Sequence, residues 1–335
     1  METIDFNAKK GFLCDMDGVI YHGNHILPGA AEFIHWLQDT HKEYLFLTNN
    51  SGMTPRELHQ KLWRMGLDVP EEHFYTSALA TAAFLADQAP GCSVYALGEA
   101  GLLNALYDRG ITMNDVNPDY VVIGEARAYS LDTLTKATNL VLAGAKLIGA
   151  NSDTCGPTDE GIAPACRALI APVEIATGKQ AYFCGKPNPL MMRTGLRMLG
   201  CHSGEAVMIG DRMDTDVISG MESGMSTVLV LSGVSTRATL DEFADRPSGW
   251  RSRGEGIAER RCRITSEAGL APSGSPAAQM LCERLRDRGA PQAFPAKGKA
   301  FQTHGRSLPK GENGTPPGAK AVPGGVISFE REHGV

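Results

Sequence analysis

Two aspartates, Asp15 and Asp17, stand one residue apart in CDMDGVIYHG, behind a short apolar run and directly before Gly18. On an extended chain, residues i and i+2 face the same side, so both carboxylates address whatever lies at the strand tip, with Met16 turned away. Three other polar clusters also follow apolar runs or interrupt stiff loops: Thr48, Asn49, Asn50 and Ser51 in FLTNNSG, Lys186 in CGKPNP, and Asp211, Asp214 and Asp216 in IGDRMDTD. Singly, each has an ordinary reading: a solvated turn, a helix cap, a surface lysine. An EF-hand calcium loop fails on spacing, because Gly18 follows Asp17 before a third ligand appears. Taken together and in this order at strand ends, where open parallel sheets bind ligands, the four clusters point to one site. Carboxylates crowded this closely repel one another unless a cation or a proton offsets them. An ionised carboxylate in such a site can hold a hard cation, attack an electrophile such as phosphorus, or carry a proton.

The elements that position these residues alternate strand and helix. GFLC is a short apolar run, GAAEFIHWLQDT has helical spacing, YLFLT reads as a buried strand, and PRELHQKLWRMG is a helix begun by Pro55 and stopped by Gly66. This βαβα opening predicts a doubly wound parallel sheet, an α/β Rossmann-like core. SVYALG, GLLNALYDRG, YVVIG, SLDTLTKATNLVLAGA and KLIGAN repeat the order, which predicts an inserted α/β domain over residues 79–183. MMRTGLRMLG (helix), AVMIGD (strand), DTDVISGMESG (helix) and STVLVLSG (strand) then resume the first sheet. The core is thus expected over residues 10–78 and 184–248.

The chain has 335 residues, 42% apolar and 21% charged, enough for two domains. No apolar run approaches the roughly 20 residues of a membrane helix, and METIDFNAKK lacks the order of a signal peptide, so a cytoplasmic protein without a membrane partner is expected. The eight cysteines form no Cys-x-x-Cys pair, which argues against a zinc site or a disulfide framework. Of the formal charge of −6, residues 249–335 carry about +6 and the remainder about −12. Those last residues are rich in Gly, Pro and Arg with little periodicity, a disordered signature. They have almost no interleaved aromatics, so a nucleic-acid partner is not expected.

DMDGV, LTNNS, GKPNP and GDRMDTD, in that order around a central insertion, resemble the four motifs of the haloacid dehalogenase superfamily of aspartate-nucleophile phosphatases. VIYHGNHILPGAAEF, FYTSALATAAFL, VNPDYVVIG and GVSTRATL are similar to its NagD-like (class IIA, C2-capped) branch, which contains ribonucleotide monophosphatases and 4-nitrophenyl phosphatases. The likeness runs from about residue 10 to Ser248 and stops where the family pattern would continue with a strand and a helix. A shifted reading frame near Gly249 is the expectation there.

The expected chemistry is as follows. Asp15 attacks phosphorus and Asp17, its pKa raised by like charges, carries the proton; these are the roles that the resemblance implies for the two aspartates. Mg²⁺ is expected on Asp15, the main-chain carbonyl of Asp17 and Asp211, with Asp216 behind them. Lys186, Thr48 and Asn49 are expected to bind the phosphate. The insertion is identified by the resemblance as a cap, with Glu125, Arg127, Asn151 and Asp153 as candidates for reading the rest of the substrate. His22 and His25 are expected on a flap or the surface. The expected substrate is a small soluble phosphate ester, nucleoside monophosphates first, with sugar phosphates, phosphoglycolate or 4-nitrophenyl phosphate behind. A phosphotransferase and a non-catalytic phosphate-binding protein are the alternatives, and a homo-oligomer is compatible with the sequence.

Overall fold

The computed structural model describes residues 4–247 except 159, 160, 237, 238 and 246. The expectations for residues 249–335, a disordered tail and a shifted frame, lie outside the described residues. In chain order the strands are β1 (Gly11–Cys14), β2 (Tyr21–His22), β3 (His25–Ile26), β4 (Glu43–Thr48), β5 (Phe74–Thr76), β6 (Ser93–Leu97), β7 (Thr112–Met113), β8 (Tyr120–Ile123), β9 (Lys146–Gly149), β10 (Cys155–Thr158), β11 (Gly161–Pro164), β12 (Tyr182–Phe183), β13 (Ala206–Gly210) and β14 (Ser226–Leu229). The helices are α1 (Ala30–Asp39), α2 (Pro55–Arg64), α3 (Ser77–Gln88), α4 (Ala100–Asp108), α5 (Leu131–Leu142), α6 (Cys166–Thr177), α7 (Pro189–Met198) and α8 (Ile218–Glu222).

The first sheet has the order β14-β13-β1-β4-β5 with every neighbour parallel. Leu13 aligns with Met208 on one side and Leu45 on the other. Both faces are covered, which is why these strands read as nearly continuous apolar runs. Phe12, Cys14 and Phe46 pack against Phe33 and Leu37 of α1 and Leu58 and Leu62 of α2. Leu13, Leu45, Leu47 and Met208 point the other way, onto Met191 and Met192 of α7. From β1 the chain first extends the sheet through β4 and β5 and later returns on the other side through β13. The order therefore reverses beside β1, and the crevice at such a reversal is where open α/β sheets bind ligands.

The second sheet has the order β12-β9-β8-β6-β7 and is also parallel throughout. Helices α3 and α4 cover one face through Ala78, Ala82, Leu85, Leu102 and Leu106; α5 and α6 cover the other through Ala137, Val141, Ile170 and Val173. Residue 79, the sequence-based start of the insertion, falls inside α3. That helix serves both sheets, since Ala80 packs with Tyr75 and Leu45 of the first. DTDVISGMESG is not one helix: a π-helical turn, Met213–Val217, precedes the short α8. No helix among the described residues is long and apolar enough to cross a membrane.

Candidate active site

Strands β1, β4 and β13 end side by side, so the residues just past them share one crevice. Asp15 follows β1, its N–H donating to the Ile209 carbonyl at 2.8 Å; Thr48 closes β4; Asp211 follows β13. Gly18 makes the turn after Asp17 with φ of 77°, a conformation that favours glycine. Its N–H donates to the Tyr21 carbonyl at 2.9 Å, which starts the small β2–β3 hairpin, where His22 and His25 are exposed.

Lys186 is the hub. It is only 2% exposed, and its Nζ donates to Asp15 Oδ1 at 2.5 Å, Asp216 Oδ1 at 2.7 Å and the Leu47 carbonyl at 3.1 Å. Burial works to lower this ammonium's pKa, but the two carboxylates outweigh it and hold it above the usual lysine range. Asp216 is engaged on both oxygens, because Oδ2 also accepts the N–H groups of Asp211 and Arg212, each at 3.1 Å. Burial raises Asp15 well above the usual carboxylate range; Lys186 pulls the other way, and Asp216 and Asp211 add to the rise. Asp211 is pushed up to about 6 by burial and by the charge of Asp216, against the Val234 N–H that donates to its Oδ2 at 2.6 Å. Oxygens of Asp15, Asp211 and Asp216 lie within 4.8 Å of one another. Asp214, by contrast, turns outward and pairs with Arg212 at 2.7 Å.

Asp17 differs from Asp15 in being exposed at the crevice. Partial loss of hydration raises its carboxyl, while Lys61 and the hydroxyl of Tyr21, 3.3 Å from Oδ2, moderate the rise. Tyr21 and Lys61 were not anticipated from the sequence. The available signal was an aromatic four residues after Asp17, and Lys61 then lies 3.7 Å above that ring.

Asn49 is clamped to the lysine's own backbone: Oδ1 accepts the Lys186 N–H at 2.8 Å and Nδ2 donates to its carbonyl at 3.0 Å. The same Nδ2 donates to Asp153 Oδ2 at 3.1 Å, which brings a residue of the insertion to the site. Glu125 and Asn151 lie in the seam between the two sheets. Glu125 accepts the N–H of Ser51 at 2.9 Å, its hydroxyl, and the Asn151 amide at 2.5 Å. Both Glu125 oxygens therefore already have protein partners. Arg127 is exposed, its N–H donating to Glu99 at 2.7 Å. The structure thus brings Asp15, Asp17, Thr48, Asn49, Lys186, Asp211, Asp216 and Asp153 to the crevice, puts Glu125 and Asn151 in the seam, and leaves Arg127 at the surface.

A family model described as haloacid dehalogenase-like hydrolase matches residues 12–112, and a second, HAD-hydrolase-like, matches residues 183–250. A dihydroxyacetone phosphatase of Corynebacterium glutamicum is 48% identical over 237 residues, 71% of this chain and 86% of that protein. The ribonucleotide monophosphatase NagD of Escherichia coli K12 is 43% identical over 239 residues, 71% of this chain and 94% of that protein. The solved structure of NagD from the same strain superposes with a TM-score of 0.68 at 42% identity, covering 72% of this chain and 95% of that one. With the four motifs gathered at one crevice and these relatives spanning both sheets, the chain belongs to the haloacid dehalogenase superfamily, as a NagD-like phosphatase of small phosphate esters.

Proposed function

We propose that this phosphatase is a cytoplasmic, Mg²⁺-dependent phosphomonoesterase that works through an aspartyl phosphate, with nucleoside monophosphates as its first substrate class. One observation carries the reading. Of two carboxylates one residue apart, Asp15 is buried and fixed by Lys186 at 2.5 Å, while Asp17 is exposed. The first suits an attacking group held in line, and the second suits a proton carrier that water and a leaving group can reach.

The residues fit a hard divalent cation. Oxygens of three buried carboxylates, Asp15, Asp211 and Asp216, lie within 4.8 Å of one another, and the buried Lys186 ammonium is bonded to two of them, Asp15 and Asp216. Clustered carboxylate oxygens are the donor set that a hard cation prefers. Asp15, the main-chain carbonyl of Asp17 and Asp211 would hold the ion. Asp216, with both oxygens engaged, would orient Lys186 and the Asp211 turn. Once bound, Mg²⁺ would offset the carboxylates' charge and polarise the phosphate oxygens.

The chain's own residues do the rest. Asp15 forms a bond to phosphorus as the ester P–O bond breaks, and Asp17 gives its proton to the leaving oxygen. Asp17 then takes a proton from the water that attacks the aspartyl phosphate, and phosphate leaves with Asp15 restored. Lys186, the Thr48 hydroxyl and the main-chain N–H of Asn49 stabilise the charge on the phosphoryl oxygens. Asp153, at the crevice, is the residue proposed to read the leaving group.

A second substrate class, small sugar phosphates, is favoured by the relative named dihydroxyacetone phosphatase at 48% identity. The test is phosphate release by the full-length protein from nucleoside monophosphates, dihydroxyacetone phosphate, hexose phosphates, phosphoglycolate and 4-nitrophenyl phosphate, with Mg²⁺ and with a chelator. Metal-dependent release, highest on the nucleotides, is expected. Binding of these esters without release would instead identify a non-catalytic phosphate-binding protein, and transfer to an added alcohol would identify a phosphotransferase.

A further inference from the structure

Glu125 and Asn151 stand just past the ends of two adjacent strands of the second sheet, β8 and β9, and they face the loop that follows β4 of the first. The contact runs in both directions. The Glu125 carboxylate accepts the N–H and hydroxyl of Ser51, and the Glu125 N–H donates back to Ser51 Oγ at 2.9 Å. Asn151 spends one amide on two acceptors, Glu125 Oε1 and the Asn49 carbonyl, both at 2.5 Å. Asn49 in turn brackets the backbone of Lys186 with its own amide, and Lys186 Nζ reaches Asp15 at 2.5 Å. A continuous chain of hydrogen bonds thus leads from the cap to the attacking carboxylate. Ser51 and Asn151 are each 0% exposed, so water does not compete for these two side chains, while Glu125 is half-buried.

The backbone is built for this approach. A Cβ on Gly124 would come within 2.6 Å of Ser51 Oγ, and one on Gly101 within 2.6 Å of the Ser51 and Met53 carbonyls. Both glycines have ordinary backbone angles, so what they supply is room: the cap sits directly against residues 51–53.

We infer that Glu125, through Ser51 and Asn151, is a positioning residue that holds the phosphate-binding loop in register with Lys186, so that this part of the cap sets the rate on every ester and does not choose among them. The inference rests on the phosphatase reading above. Loss of the carboxylate leaves the Ser51 N–H without its partner, and a loop displaced by about an ångström costs on the order of 100-fold in rate.

The test is steady-state kinetics of the full-length protein and of Glu125→Ala, Glu125→Gln and Ser51→Ala. The substrates are a nucleoside monophosphate and 4-nitrophenyl phosphate, and inorganic phosphate serves as competitive inhibitor. Glu125→Ala is expected to lose roughly 100-fold in kcat/KM, by the same factor on both esters, and to raise the inhibition constant of inorganic phosphate. A smaller folded fraction lowers apparent kcat but leaves KM and that inhibition constant unchanged, so the shift distinguishes misplacement from unfolding. Glu125→Gln keeps an acceptor for Ser51 and should recover part of the loss. Ser51→Ala should show a smaller loss, again equal on both esters. Losses that differ between the two esters, or an unchanged phosphate inhibition constant in Glu125→Ala, would overturn the inference. An inactive parent would sink the phosphatase reading itself, and amide hydrogen exchange of residues 48–53 in parent and variant would still test the latch: unchanged exchange there overturns it.

Discussion

Asp15 and Asp17 share a strand tip but not an environment, and the difference follows from what surrounds each. Asp15 is enclosed with Lys186, Asp211 and Asp216, whereas Asp17 sits at the opening beside Tyr21. Asp15→Asn keeps the shape and loses the anion, so phosphate release should fall to background while substrate binding persists. Asp17→Asn should slow both halves of the reaction but leave Mg²⁺ binding, measured calorimetrically, in place; loss of binding would contradict a main-chain ligand. Asp211 adds a pH dependence. Its carboxyl is pushed up to about 6, above the roughly 3.9 of an unfolded aspartate. Between about pH 4 and 6 Asp211 therefore holds more proton in the folded, cation-free protein than in the unfolded chain, and its contribution to stability falls as pH rises through that window. Asp15, also raised, acts in the same sense. A declining Tm across the window is expected, partly flattened in Asp211→Asn; an unchanged slope in that variant would count against the assignment. At this scale much was legible in the sequence, because four polar clusters after apolar runs are a local signal. The engagement of Glu125 by Ser51, 74 positions away, was not, since only the folded chain brings them together.

Elements were legible where one face is wet. Helix α2 announces itself with Thr54 and Glu57 in a capping box and Pro55 in the first turn. Helix α3 does not: SALATAAFLADQ is buried at Ser77, Ala78, Ala80, Thr81, Ala82 and Leu85, on more than one side, because it packs on both sheets and so carries no clear amphipathic period. Helix α6 contains Pro172, ordinarily a breaker, and the hairpin β10–β11 has no alternating apolar pattern. After β13, Asp216 draws the N–H groups of Asp211 and Arg212 onto one carboxylate, and the chain enters α8 through a π-helical turn. These differences predict unequal costs. Leu13→Ala on β1 empties a fully buried position and should cost about 2–5 kcal/mol, whereas Thr54→Ala removes one exposed cap and should cost about 1 kcal/mol. Urea unfolding would check both, and a cap variant as costly as the core variant would contradict the packing described.

Among the described residues, two parallel sheets present the carboxyl ends of their strands to one seam, so the loop proposed to bind phosphate belongs to one sheet and leans on the other. The alternation of strand and helix was enough to anticipate both sheets. Where they meet was not legible, because it depends on residues of the insertion that read as ordinary loop polar groups. If the second sheet acts as the proposed cap, the crevice should admit small esters, and phosphoprotein and nucleic-acid phosphate should not be hydrolysed; release from either at rates comparable to 4-nitrophenyl phosphate would contradict that proposal. The central claim, that Asp15 takes the phosphoryl group, is tested most directly by acid-quenching the full-length protein during turnover of a radiophosphate-labelled ester and mapping any label on the chain. The account predicts an acid-stable, hydroxylamine-labile label on the peptide containing Asp15, absent from Asp15→Asn. Rapid phosphate release with no labelled protein at any quench time, or undiminished labelling of Asp15→Asn, would contradict it.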